Sequence, residues 1–161
     1  MRDLVMSLIV LLIPVAVIVA IFRLGGGEDP VVIDPSPAIE DAQRASFPVA
    51  VPTGLAEGWR PLTAAYQPAD DGATLRIGYL TPSGGGVQLV ESTQPADVVL
   101  ARELGEGAQP AGAVTVAGRA WDSYTVRSDE RALIAVEQDR LLIVVGRAAE
   151  GELEELAQAV S

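Results

Sequence analysis

The chain has 161 residues, 11 basic and 22 acidic, for a formal net charge of −11, and it contains neither histidine nor cysteine. Lysine and asparagine are missing too, so every basic side chain is an arginine. These absences exclude a thiol nucleophile, a disulfide framework, an imidazole or thiolate metal site and any Ser-His or Cys-His couple. The acidic balance also speaks against nucleic acid as a partner, because phosphate needs a basic footprint.

Residues 4–22 carry no charge and only Ser7 and Pro14 as interruptions. At the helical rise such a stretch spans roughly 28 Å, close to the hydrocarbon thickness of a bilayer. The residues predict a transmembrane anchor over 1–23, contacting the lipid bilayer through 4–22. A cleaved signal peptide is the alternative, but it wants a shorter apolar run and small residues before the cut. Arg2 and Arg23 flank the two ends, so the positive-inside bias is small. Only three residues precede the stretch, and beyond Arg23 nine arginines stand against 21 acidic residues. That balance favours a cytoplasmic N-terminus and a domain outside the membrane.

Residues 24–35 contain Gly25, Gly26 and Gly27, then Glu28, Asp29 and two prolines, the composition of a linker that is flexible first and stiffer later. No lysine or hydroxyl follows at the spacing of a phosphate loop. Residues 36–161 are long enough for one domain with its own core. A helix is predicted over 36–46, with Ser36 as its cap and Pro37 in the first turn. Strands follow at 62–67, 74–81 and 87–93, the second with Leu75, Ile77 and Tyr79 alternating against Thr74, Arg76 and Gly78. Residues 95–104 read as a helix with Ala96, Val99, Leu100 and Leu104 on one stripe, and 105–112 as a glycine- and proline-rich loop. Four more strands are predicted at 113–116, 119–126, 131–137 and 140–146, joined by short turns and so paired antiparallel. Residues 141–145 are apolar without alternation, as in a central strand covered on both faces. A helix from about 148 closes the chain, with Leu153, Leu156, Ala157 and Val160 on one face. The expected architecture is α+β: an antiparallel sheet of about seven strands in the succession α-βββ-α-ββββ-α, with the helices packed on one face.

Candidate chemistry is thin. Asp70 and Asp71 precede Gly72 between two strands and read as a solvated turn; calcium would need more oxygen ligands at loop spacing. Glu150, Glu152, Glu154 and Glu155 read as the wet face of an amphipathic helix. Ser83 before Gly84, Gly85 and Gly86 reads as a hairpin turn, with an anion-binding backbone loop as the lesser alternative; a nucleophilic serine would lack a base. Trp59 and Trp121 are the weak candidates for lining a groove, against the plainer reading that both pack in the core or at its rim. No catalytic residue, metal ligand or cofactor is expected.

The opening MRDLVMSLIVLLIPV (1–15), the segment GATLRIGYLTPSGGGVQLVES (72–92) and the tail from LLIVVGRA (141–148) through Glu154, Glu155, Leu156 and Ala157 are similar to domain of unknown function 4245, DUF4245. The resemblance covers nearly the whole chain, and 74–92 is its most specific part. It implies a single-pass actinobacterial membrane protein with an external domain, and it implies no activity, so no functional residue carries over. The expected function is a non-enzymatic, tethered extracytoplasmic module making protein contacts in the cell envelope. The alternatives are a binder of a small molecule, lipid or wall polymer in a groove, and an enzyme using two carboxylates alone.

Overall fold

Residues 141–146 are apolar at every position, and a strand of that kind is stable only with cover on both faces. The computed structural model, which describes residues 30–127 and 129–161, places this strand at the middle of the sheet with all six residues buried. In chain order the elements are helix α1 (Ser36–Arg44), strands β1 (Arg60–Ala69), β2 (Gly72–Leu80) and β3 (Gly86–Ser92), helix α2 (Ala96–Leu104), strands β4 (Gln109–Val116), β5 (Arg119–Arg127), β6 (Glu130–Val136) and β7 (Leu141–Gly146), and helix α3 (Glu152–Ala159). The seven strands form one antiparallel sheet in the order β1-β2-β3-β7-β6-β5-β4. The fold is α+β, and its succession of elements is the one the sequence predicts.

The helices do not share one face, contrary to expectation. Leu75, Ile77, Leu89, Trp121, Leu133, Leu142 and Val144 pack with Ala42 just inside α1 and with Leu153, Leu156 and Ala157 of α3. Val90, Ala132, Ile134, Leu141, Ile143 and Val145 point the other way and pack with Val99 and Leu104 of α2. Topology gives the reason. Helix α2 joins β3, third in the sheet, to β4 at the far edge, so it must cross the intervening strands. It crosses on the face that α1 and α3 leave open, and so covers the second apolar side of β7.

Three boundaries shift for local reasons. Ser36 is not a capping hydroxyl: Pro35 holds the cap position, and Asp34 Oδ1 accepts the Ser36 N–H at 2.9 Å. The Ser36 hydroxyl and amide hold the Asp34 carboxyl below its ordinary value. Strand β4 begins four residues earlier than expected, because an edge strand tolerates Pro110 and absorbs Gly112 through a register shift. Helix α3 begins at Glu152, after Gly151 in the left-handed region at φ 88°.

Between α1 and β1 the chain has no regular structure and lies as a strap over the α1/α3 face. Thr53 N–H donates to Ala159 O at 2.9 Å and Ala56 N–H to Glu155 Oε1 at 2.8 Å. Ile33 N–H donates to Pro61 O at 2.9 Å, which lays Ile33 along the beginning of β1. The predicted anchor over 4–22 and the first half of the linker, 24–29, lie outside the described residues. Among the described residues no helix is long and apolar enough to cross a membrane.

Candidate functional site

Ser83, Gly84 and Gly85 sit in the turn between β2 and β3, where Thr81 N–H donates to Gly85 O at 2.8 Å. The turn does bind an anion, and the anion belongs to the chain itself. The Glu152 carboxylate accepts the Ser83 N–H at 2.9 Å, the Ser83 hydroxyl at 2.7 Å and the Ala149 N–H at 2.7 Å. Burial raises the Glu152 carboxyl, and the donors of Ser83 and Ala149 outweigh it, leaving the group below its ordinary value. Gly84 has φ 85°, and a side chain at Gly85 would collide with the Arg147 carbonyl. Among the acidic residues read as the wet face of the last helix, Glu152 is therefore an exception: it faces inward and is buried.

The two tryptophans lie far apart across the sheet. Trp121, on β5, is 0% exposed, with the Arg119 guanidinium 5.9 Å from its ring centroid. Trp59, just before β1, is half-buried and meets Tyr79 edge-on at 5.9 Å. Each indole N–H is buried without an acceptor among the described residues. Four strands lie between β1 and β5, so the pair does not frame one groove. Asp70 and Asp71 form the tight turn between β1 and β2, with Asp71 Oδ1 accepting from the Gln94 amide at 2.6 Å.

Two features escaped the sequence reading. The first is Glu91 on β3, 0% exposed on the α1/α3 face in the alternation that places Val87 and Leu89 inward. Its Oε2 accepts the Ala50 N–H of the strap at 2.7 Å, its Oε1 has no partner, and Arg140 approaches only to 3.6 Å. Burial pushes its carboxyl up to about 7; the Ala50 amide and Arg140 recover only part, and Glu137 adds to the rise. Burial, and then the negative Glu91, push Tyr79 up to about 12. Arg140 donates to Pro48 O at 2.9 Å and pairs with Glu137, which also pairs with Arg119 at 2.7 Å. The available signal was a glutamate at the third inward position of an otherwise apolar strand face.

The second feature is an open trough of about 350 Å³ on the α2 face, beside the end of that helix. Thr63, Gln88, Glu103 and Glu130 supply its polar lining. Gly78 keeps the floor open there, since a Cβ would displace the Thr63 hydroxyl, whereas Gly86 faces open space. The ion pairs Arg76–Glu103 and Arg127–Glu130 fix the two carboxylates at the rim. Glycines at outward alternation positions in β2 and β3 were its sequence signal.

Among the described residues no three Asp or Glu side chains converge as a metal site. No curated protein matches the chain. The family model described as "Protein of unknown function (DUF4245)" matches residues 1–160, and the chain belongs to that family.

Proposed function

We propose that the chain is a non-enzymatic, membrane-tethered extracytoplasmic module that works through protein–protein contacts in the cell envelope. The observation that supports this most is how the domain's reactive polar groups are engaged with one another. The Ser83 hydroxyl is held by Glu152, Glu91 is enclosed under the strap, and eight of the nine arginines from residue 30 onward are in ion pairs. A domain built this way offers surfaces and backbone edges to a partner. The apolar stretch 4–22 holds it at the bilayer, and the glycine linker raises its effective concentration towards membrane neighbours.

The chain lacks cysteine, so Ser161→Cys supplies a single label site. A membrane-impermeant maleimide on intact cells is expected to label it; labelling only after permeabilisation contradicts the outward placement. Deleting residues 1–23 is expected to abolish the crosslinks that the full-length chain makes in its membrane, and an unchanged crosslinking pattern contradicts the role of the tether.

The trough favours a second reading, a binder of a small polar ligand or wall polymer, because Thr63, Gln88, Glu103 and Glu130 converge on a floor opened by glycine. Shifts confined to the Gly78 and Gly86 amide resonances on adding wall fragments support it. Unmoved resonances across a broad panel of fragments and lipids count against it.

A further inference from the structure

The two edges of the sheet are not equivalent. At β1 the Ile33 N–H occupies the Pro61 carbonyl, prolines stand at 61 and 68, and the register shifts between Pro61 and Thr63. These are the devices by which an edge strand refuses a further strand. At β4, Pro110 and the irregularity before Gly112 protect only the first half. The second half, Ala113-Val114-Thr115-Val116, is regular, and the whole strand Gln109–Val116 has no charged residue.

The turn after β4 fixes which backbone groups face outward. Ala117 and Gly118 form a two-residue connection with φ 50° and 81°, the positive pair of a type I′ hairpin. In such a hairpin the flanking pair, Val116 and Arg119, exchanges both hydrogen bonds, and the alternation continues inward. Val114–Trp121 is then a bonded pair, while Thr115–Ala120 and Ala113–Asp122 are not. Ala113 and Thr115 therefore direct their N–H and C=O away from β5. Among the described residues neither has another backbone or side-chain partner.

We propose that β4 is a self-pairing edge: two copies of the chain join antiparallel through Ala113 and Thr115, with Val114 on the two-fold axis. The occupant follows from the two edges. A strand added at β4 must bring an open edge, and β1 of another copy is blocked where Ile33 and the prolines lie, so the matching edge within this chain is a second β4. In the register centred on Val114, Ala113 bonds Thr115 of the other copy and Thr115 bonds its Ala113, satisfying all four outward groups on each strand. The absence of charge on β4 removes like-charge opposition at the contact. From residue 30 onward the chain has nine arginines against nineteen acidic residues, so the two domains repel at longer range and added salt strengthens the pairing. This contact goes beyond the proposed tethering and does not depend on it.

The test uses the full-length chain in its membrane and a mild oxidant. Val114→Cys, half-buried in the native strand, is expected to give a disulfide-linked dimer, because directly opposed residues on the axis come within disulfide reach. Gln109→Cys, five residues off the axis, is expected to stay monomeric. Adding Thr115→Pro to Val114→Cys removes an N–H that the native sheet does not use, and is expected to abolish the dimer while the circular dichroism spectrum is kept. Crosslinking of both cysteine variants alike, or of neither while the fold is retained, overturns the proposal. Capture of a different protein at Val114→Cys, with no dimer, overturns it too.

Discussion

Strand β3 has a glutamate near each end, and the two are treated in opposite ways. At the turn before the strand, Glu152 is inserted from α3 and receives three donors, two of them from Ser83. Near the other end, Glu91 belongs to the strand, is sealed beneath the strap, and receives one amide and a distant guanidinium. Glu91 is fully enclosed and Glu152 only partly so at 9% exposure, and the Glu152 carboxyl is held below its ordinary value while that of Glu91 is raised to about 7. Depth of burial and the number and closeness of donors set the sign together. The donor-rich end fastens α3 to the sheet as a charged group. The donor-poor end is most stable neutral.

The largest consequence is a pH slope at the Glu91 end. The folded carboxyl is pushed up to about 7, above its ordinary value of 4.5, so the folded state holds more protons between these values. Stability is expected to fall as pH rises from about 4.5 to about 7, by on the order of 3 kcal/mol, and to level off above that. Urea unfolding at several pH values reads the slope, and Glu91→Gln, neutral throughout, is expected to flatten it and to exceed the wild-type stability at pH 8. A wild-type profile flat over that range breaks the comparison.

Gly85→Ala strikes the other end through the backbone. The new Cβ meets the Arg147 carbonyl, and relieving that contact displaces the turn that presents Ser83. A loss of about 2–3 kcal/mol is expected on thermal unfolding, of the size seen when a packed site is overfilled. Glu152→Gln is milder, at about 1–2 kcal/mol, since the amide keeps one acceptor but offers donors where the wild type has none. Its cost should be largest near neutral pH and shrink as acid protonates the wild-type carboxylate, because a depressed carboxyl stabilises above its ordinary value and loses that contribution as pH falls. A cost independent of pH contradicts the ionic role of Glu152. Arg44→Ala removes an exposed pair with Asp41 and should change stability by less than about 0.5 kcal/mol. A larger change would mean that surface pairs count here as much as enclosed ones do.

Much of this arrangement was legible in the residues. Alternation in Leu75, Ile77 and Tyr79 and the unbroken run 141–145 gave the strands and the centre of the sheet, because those patterns report directly which faces are dry. The distribution of helices was not legible, although the same unbroken run already demanded cover on two sides. Which helix supplies that cover depends on strand order, a long-range property that periodicity does not carry. At the site level, Ser83 and its glycines read first as a hairpin turn, which they are, and the anion loop was the lesser alternative; the anion is Glu152, 69 residues along the chain. Glu152 passed as one of a run of surface glutamates, since four acidic residues in six positions look alike until the left-handed Gly151 sets the helix phase. Glu91 was hidden for the opposite reason: a lone acidic residue near the end of a strand reads as the place where the strand becomes wet, and only the strap from 47 to 56 makes it dry.

The most direct test of the closed, self-engaged interior is a carbon-detected NMR titration of the glutamate side-chain carboxyls in the full-length chain. The structure requires Glu91 to titrate near 7 and Glu152 below the ordinary glutamate range. Two ordinary glutamate titrations would show that water reaches the strap and the turn, and would contradict the enclosed polar interior that supports a contact-making module.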